Sequence, residues 1–127
     1  MNYDQFLQAV EHLDFIRDRQ EADAATKAVL GIFSSRLREP QARHMDQQLP
    51  FPLTEQRLRG HQAKTVLAIT VPEYVAEIAV QFHINDNQAL ELIRTVLHQM
   101  KETVDNETMA EIENSVSPDW NTLLKNA

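Results

Sequence analysis

EADAATKAVLGIFSSRLREPQARHMDQQLP, residues 21–50, sets Ala22, Ala25, Val29, Ile32, Phe33 and Leu37 three or four residues apart. That spacing lines one face of an α-helix beginning near Gln20. Glu21 and Asp23 near its start, with Arg36 and Arg38 near its end, complement the helix macrodipole. Gly31 lies inside it and costs about 1 kcal/mol relative to alanine, tolerable where another helix crosses closely. Glu39-Pro40 then opens a shorter helix that presents Ala42, Met45 and Leu49, and Pro50-Phe51-Pro52 stops it.

Upstream, Tyr3, Phe6, Leu7, Val10 and Leu13 mark a helix with Asp4, Gln5, Gln8 and Glu11 on its other face. Downstream, residues 53–70 read as a connector, in which Thr54 could cap a short helix through Leu58 and Gly60 would break it. The pattern then recurs. Val71, Tyr74, Val75, Ile78, Ala79 and Phe82 define a helix with Thr70 as a cap and Pro72 in its first turn. Asn85-Asp86 leads into a long helix bearing Ala89, Ile93, Val96, Leu97, Met100 and Val104. Asn106 is the expected cap of a shorter one with Met109, Ile112 and Val116, and Ser117-Pro118-Asp119 opens a final turn or two placing Trp120, Leu123 and Leu124.

An offset of 67 residues maps Ala22 on Ala89, Val29-Leu30 on Val96-Leu97, Phe33 on Met100, Leu37 on Val104, Ala42 on Met109, Met45 on Ile112 and Leu49 on Val116. One further residue of shift brings Phe6-Leu7 onto Tyr74-Val75 and Val10 onto Ile78. The expected architecture is therefore all-α: one helical bundle made of two pseudo-symmetric three-helix repeats, residues 3–52 and 71–125. About six main helices and a short C-terminal turn compose it. A three-helix unit of this size buries little surface alone, so the repeats should share one core about a pseudo-two-fold axis.

Bulk composition agrees. With 127 residues, 43% hydrophobic and 24% charged, the chain sits in the range of a single globular domain, and only two glycines argue against a turn-rich β fold. No cysteine is present, which suits a reducing compartment, and no stretch nears the roughly 18 apolar residues of a membrane span. A cytoplasmic location and no membrane partner are expected. The net charge of −7 is uneven: residues 1–64 hold nine basic and nine acidic side chains, residues 65–127 three and ten. An acidic second half repels phosphate, so nucleic acid is a disfavoured partner, and a DNA-associated regulator would rest on the arginines between 36 and 59 alone.

Ala28-Val29-Leu30-Gly31-Ile32-Phe33-Ser34-Ser35-Arg36-Leu37, then Ala42, then Gln48-Leu49-Pro50, resembles the signature of the bacterial domain of unknown function 2267 family. In that family AVL, a spaced Arg-Leu, an Ala and a terminal Gln-Leu-Pro recur in tandem helical repeats. The resemblance spans nearly the whole chain and is specific in the first half; in the second, Val116-Ser117-Pro118 replaces the expected Leu-Pro. It implies a helical bacterial protein and carries no activity with it.

Candidate chemistry is sparse. His12, His44, His61, His83 and His98 never pair at i, i+3 or i+4, and neither HExxH nor a di-metal pattern occurs, so no metal or cofactor is expected. No phosphate loop or nucleophile set occurs either, which argues against an enzyme. The interaction candidates are His44 beside the Leu49-Pro50 turn, Arg36, Arg38 and Arg43 as an anion site or as helix-end charges, Phe51 as an exposed aromatic or a buried plug, and Trp120 as a docking or a stapling residue. The expected function is a non-catalytic module that binds a protein partner or itself. The alternative is a small-ligand or sensor domain with an apolar pocket between the repeats.

Overall fold

Side-chain caps decide where the chain turns helical. In the computed structural model, which describes residues 2–53 and 69–127, Asn2, Asp18, Thr70, Asn85 and Asp105 each accept a hydrogen bond from a backbone N–H in the first turn of the following helix. Asn2 with Gln5, Thr70 with Glu73 and Asn85 with Gln88 close full capping boxes, satisfying donors that no helical carbonyl reaches. The described residues form seven helices and no strand. They are α1 (Tyr3–Glu11), α2 (Arg19–Ser35), α3 (Glu39–Gln48), α4 (Val71–Phe82), α5 (Asp86–Thr103), α6 (Asn106–Ser115) and α7 (Pro118–Asn126).

Two details differ from the sequence expectation. Asp105, not Asn106, caps α6, because its carboxylate reaches Thr108 N–H at 2.8 Å and Asn106 becomes the first helical residue. The C-terminal segment is a nine-residue helix rather than a turn or two. Lys101 holds its far end, its ammonium donating to the Leu124 carbonyl at 2.8 Å and to that of Ala127 at 3.2 Å. The expected helix from Thr54 to Leu58 and its break at Gly60 lie outside the described residues.

Helix α1 packs on α2 and on α5; α4 packs on α5 and on α2; α2 crosses α5, and α3 lies against α6. Helix α7 covers α5 and α4. The stripes read from the sequence meet in one core: Phe6, Val10, Ala22, Ala25, Val29, Leu30 and Phe33 from residues 2–53 join Tyr74, Ile78, Ala89, Ile93, Val96, Leu97 and Met100 from residues 69–127. Val29 and Val96 are both fully buried. Gly31 is buried as well, in the long helix that other helices cross.

One polar group in this core is costly. Thr26 is fully buried on α2, and its hydroxyl has no hydrogen-bond partner among the described residues. A buried hydroxyl without a partner forfeits its hydration, so Thr26→Val is expected to stabilise the protein by about 1 kcal/mol. Denaturant unfolding checks this as a higher midpoint at unchanged slope.

Candidate functional site

Helices α3 and α6 make a polar seam between residues 2–53 and residues 69–127. His44, half exposed, sets its Nδ1 3.3 Å from Glu111 Oε2. One turn further on, the Gln48 side-chain amide clamps the start of α6: its oxygen accepts from the Asp105 N–H at 2.7 Å and its nitrogen donates to the Thr108 hydroxyl at 2.9 Å. Asp105 thus serves two purposes, capping α6 with its carboxylate and tying its backbone to α3. The Thr108 N–H and hydroxyl, with lesser help from His44 and Gln48, hold the Asp105 carboxyl below its ordinary value.

The sign of the resulting pH effect follows from that direction. A carboxylate stabilised in the folded state contributes above its unfolded pKa and loses its contribution as pH falls through the lower folded value. Acidification below about pH 4 is therefore expected to weaken the α6 cap. Asp105→Asn, which keeps an acceptor that does not titrate, should reduce the acid sensitivity, checked by comparing midpoints of acid unfolding.

The other candidate residues are dispersed. Arg36 caps the C-terminus of α2 and lays its guanidinium over the Trp120 ring, 5.3 Å from the centroid. Arg38 sits at the N-cap of α3, two residues beyond the C-cap of α2, and makes no side-chain cap bond. Arg43 pairs with Glu39 one turn back, at 2.7 Å. Arg36, Arg38 and Arg43 thus meet three different surroundings. Phe51 is 71% exposed, and it is Leu53, two residues on, that plugs the core.

Trp120 is fully buried and staples α7 to the bundle, which removes it as a docking side chain. Its indole stacks on Tyr74 at 5.0 Å between centroids and approaches Phe33 at 6.1 Å. Its N–H donates to the Ile69 carbonyl at 3.2 Å, while the Tyr74 hydroxyl donates to the Val29 carbonyl at 2.6 Å. Both polar tips of the stack are satisfied, as burial of such rings requires. Burial accordingly drives the Tyr74 hydroxyl well above its ordinary pKa.

An open cleft of about 320 Å³ lies elsewhere, where the start of α2 faces the end of α4. Arg17, Asp18, Gln20, Glu21 and Ala24 form one wall, and Gln81, Phe82 and His83 the other. Arg17 is mostly exposed but is matched by Glu21, to which it donates from Nε at 3.0 Å and Nη2 at 2.8 Å. His83 ends α4 in the left-handed conformation, φ 55° and ψ 46°, and the next N–H, of Ile84, returns to the Ala79 carbonyl. Val80, next to the cleft in sequence, is 75% exposed.

The family model described as Uncharacterized conserved protein (DUF2267) matches residues 3–123. The chain belongs to this family. No curated relative matches it. The match takes in both α3 and α6, so the seam is part of the DUF2267 domain rather than an addition to it.

Several polar residues of this DUF2267 chain escaped the sequence reading. Asp46 is buried beside Ser34, whose hydroxyl donates to it at 3.3 Å. Its signal was present, since Asp46 follows Ala42 by four residues and precedes Leu49 by three, placing a charge on the apolar stripe. The Tyr3–Asp23–Lys27 cluster, in which both Tyr3 and Lys27 donate to Asp23, joins α1 to α2 across 20 residues of sequence and left no local signal. Burial, reinforced by Asp23, pushes the Tyr3 hydroxyl far above its usual range. Among the described residues, no group of three or more His, Asp or Glu could hold a metal ion.

Proposed function

We propose that this chain is a non-catalytic helical module of the bacterial cytoplasm that binds a protein partner or a second copy of itself. The observation that carries this reading is the open cleft between α2 and α4, with charged, amide and aromatic side chains in its walls and Val80 exposed beside Gln81. Mixed lining of this kind suits a polypeptide segment, which offers backbone donors and acceptors together with an apolar anchor. The perturbed carboxylates support the same reading. Glu73, Asp105 and Asp119 are held low chiefly by backbone and hydroxyl donors at helix starts, so their shifts have a structural cause.

Immobilised wild-type protein and a Val80→Glu variant, exposed to native lysate in parallel, test the proposal alongside light scattering of the purified chain. Wild type should retain a partner, or self-associate, to an extent that Val80→Glu lowers at least several-fold. A strict monomer that retains nothing the variant does not also retain would refute it.

One observation favours a second reading, a small-ligand or sensor domain. The cleft spans the two portions of the chain, and its volume of about 320 Å³ falls at the lower edge of the range of small-molecule sites. Native mass spectrometry of freshly purified protein would then show an added mass that Phe82→Asp abolishes.

A further inference from the structure

The 67-residue offset found in the sequence reappears in the packing. Residues 44 and 111 are 67 apart, and their side chains face each other across the α3–α6 seam. A residue that meets its own counterpart lies beside a two-fold axis. The helix pairs obey the same operation: exchanging α1 with α4, α2 with α5 and α3 with α6 turns α1–α2 into α4–α5 and α1–α5 into α4–α2, and leaves α2–α5 and α3–α6 unchanged. The caps follow too. Asp18 and Asn85 start the long helices, Arg38 and Asp105 the third ones, each pair 67 apart, and Asn2 and Thr70 start the first ones, 68 apart.

We infer that the surface joining the two halves is an isologous interface, and that it accepts the corresponding half of a second copy of this chain, producing an intertwined dimer by exchange of halves. The inference shares only self-association with the proposed function and does not use the cleft between α2 and α4. Its physical basis is that each half leaves its core open until the other arrives: α1 needs α5 as well as α2, and α4 needs α2 as well as α5. Every one of those contacts can be made by a half from another molecule. Because both halves belong to one chain, pairing within it wins in dilute solution and pairing between chains gains with concentration.

The full-length chain is refolded from guanidinium at concentrations from about 5 to about 500 μM and sized by light scattering. Exchange predicts a monomer of 14.6 kDa at the low end and a dimer fraction rising toward the high end. That dimer should survive dilution for hours, because its separation requires unfolding. Co-refolding of ¹⁴N- and ¹⁵N-labelled chains should give mixed dimers, whereas mixing the two folded pools should not. A dimer that dissociates promptly on dilution would overturn half exchange while leaving self-association through an outer surface intact. A monomer at every concentration would overturn it as well, with capture of a different protein then deciding the broader reading.

Discussion

Trp120→Ala is expected to cost about 3–5 kcal/mol of folding stability, the range for emptying a fully packed aromatic site. Three losses combine at this position. The stack on Tyr74 and the contact with Phe33 disappear, the Ile69 carbonyl loses its indole donor, and the Arg36 guanidinium loses the ring beneath it. Because total stability for a domain of this size lies at about 5–15 kcal/mol, the loss is a large fraction of the whole. Calorimetry should show a melting temperature lowered by roughly 10–20 °C. Trp120→Phe, which preserves the stack and removes the N–H, should recover more than half of the loss. A melting temperature unchanged by the alanine substitution would mean that α7 is not part of the cooperative unit.

Leu30→Ala and Leu97→Ala form the second large pair. Both side chains are fully buried, on α2 and α5 respectively, and each truncation is expected to cost about 2–5 kcal/mol. The informative part is the shape of the transition. Residues 2–53 and 69–127 contribute to a single core, so a cavity in α2 should destabilise α5 as much as α2 itself. Amide exchange in α1 and in α4 should therefore accelerate together in either variant. Faster exchange confined to the half that carries the substitution would show two independently stable units.

What was legible in the sequence follows from how local each signal is. The stripes of α2 and α5 repeat over four or more turns, and an apolar periodicity of that length has no comparable solution other than a buried helical face. The boundary at Thr70-Val71-Pro72-Glu73 is equally readable, because a cap, a first-turn proline and the Glu of a capping box all fall within four residues. The start of α6 was ambiguous for the opposite reason, as Asp105 and Asn106 are both good caps and only the hydrogen bond to Thr108 selects between them. Helix α7 was underestimated because its apolar positions cover barely two turns, and Lys101, which secures its far end, belongs to another helix.

The candidate site was less accessible. The place of His44 beside a turn makes it a candidate, yet what gives it a role is Glu111, a partner 67 residues away. The same holds for Gln48, which looked like an ordinary polar residue of a family signature and instead binds both Asp105 and Thr108. Contacts between distant segments depend on the crossing of helices, and no window of sequence contains that geometry. Trp120 had two open readings, and the decision between them rested on whether Tyr74 and Phe33 presented a place for the ring.

The crossed arrangement of α1 over α5 and α4 over α2 also restricts how the molecule can move. Two lobes joined by a single strap can swing open like a book, but here each lobe carries a helix seated on the other, so a hinge rotation would strip both at once. Low-energy motion is left to sideways sliding of packed helices, with side chains staying in their grooves and displacements of an ångström or two.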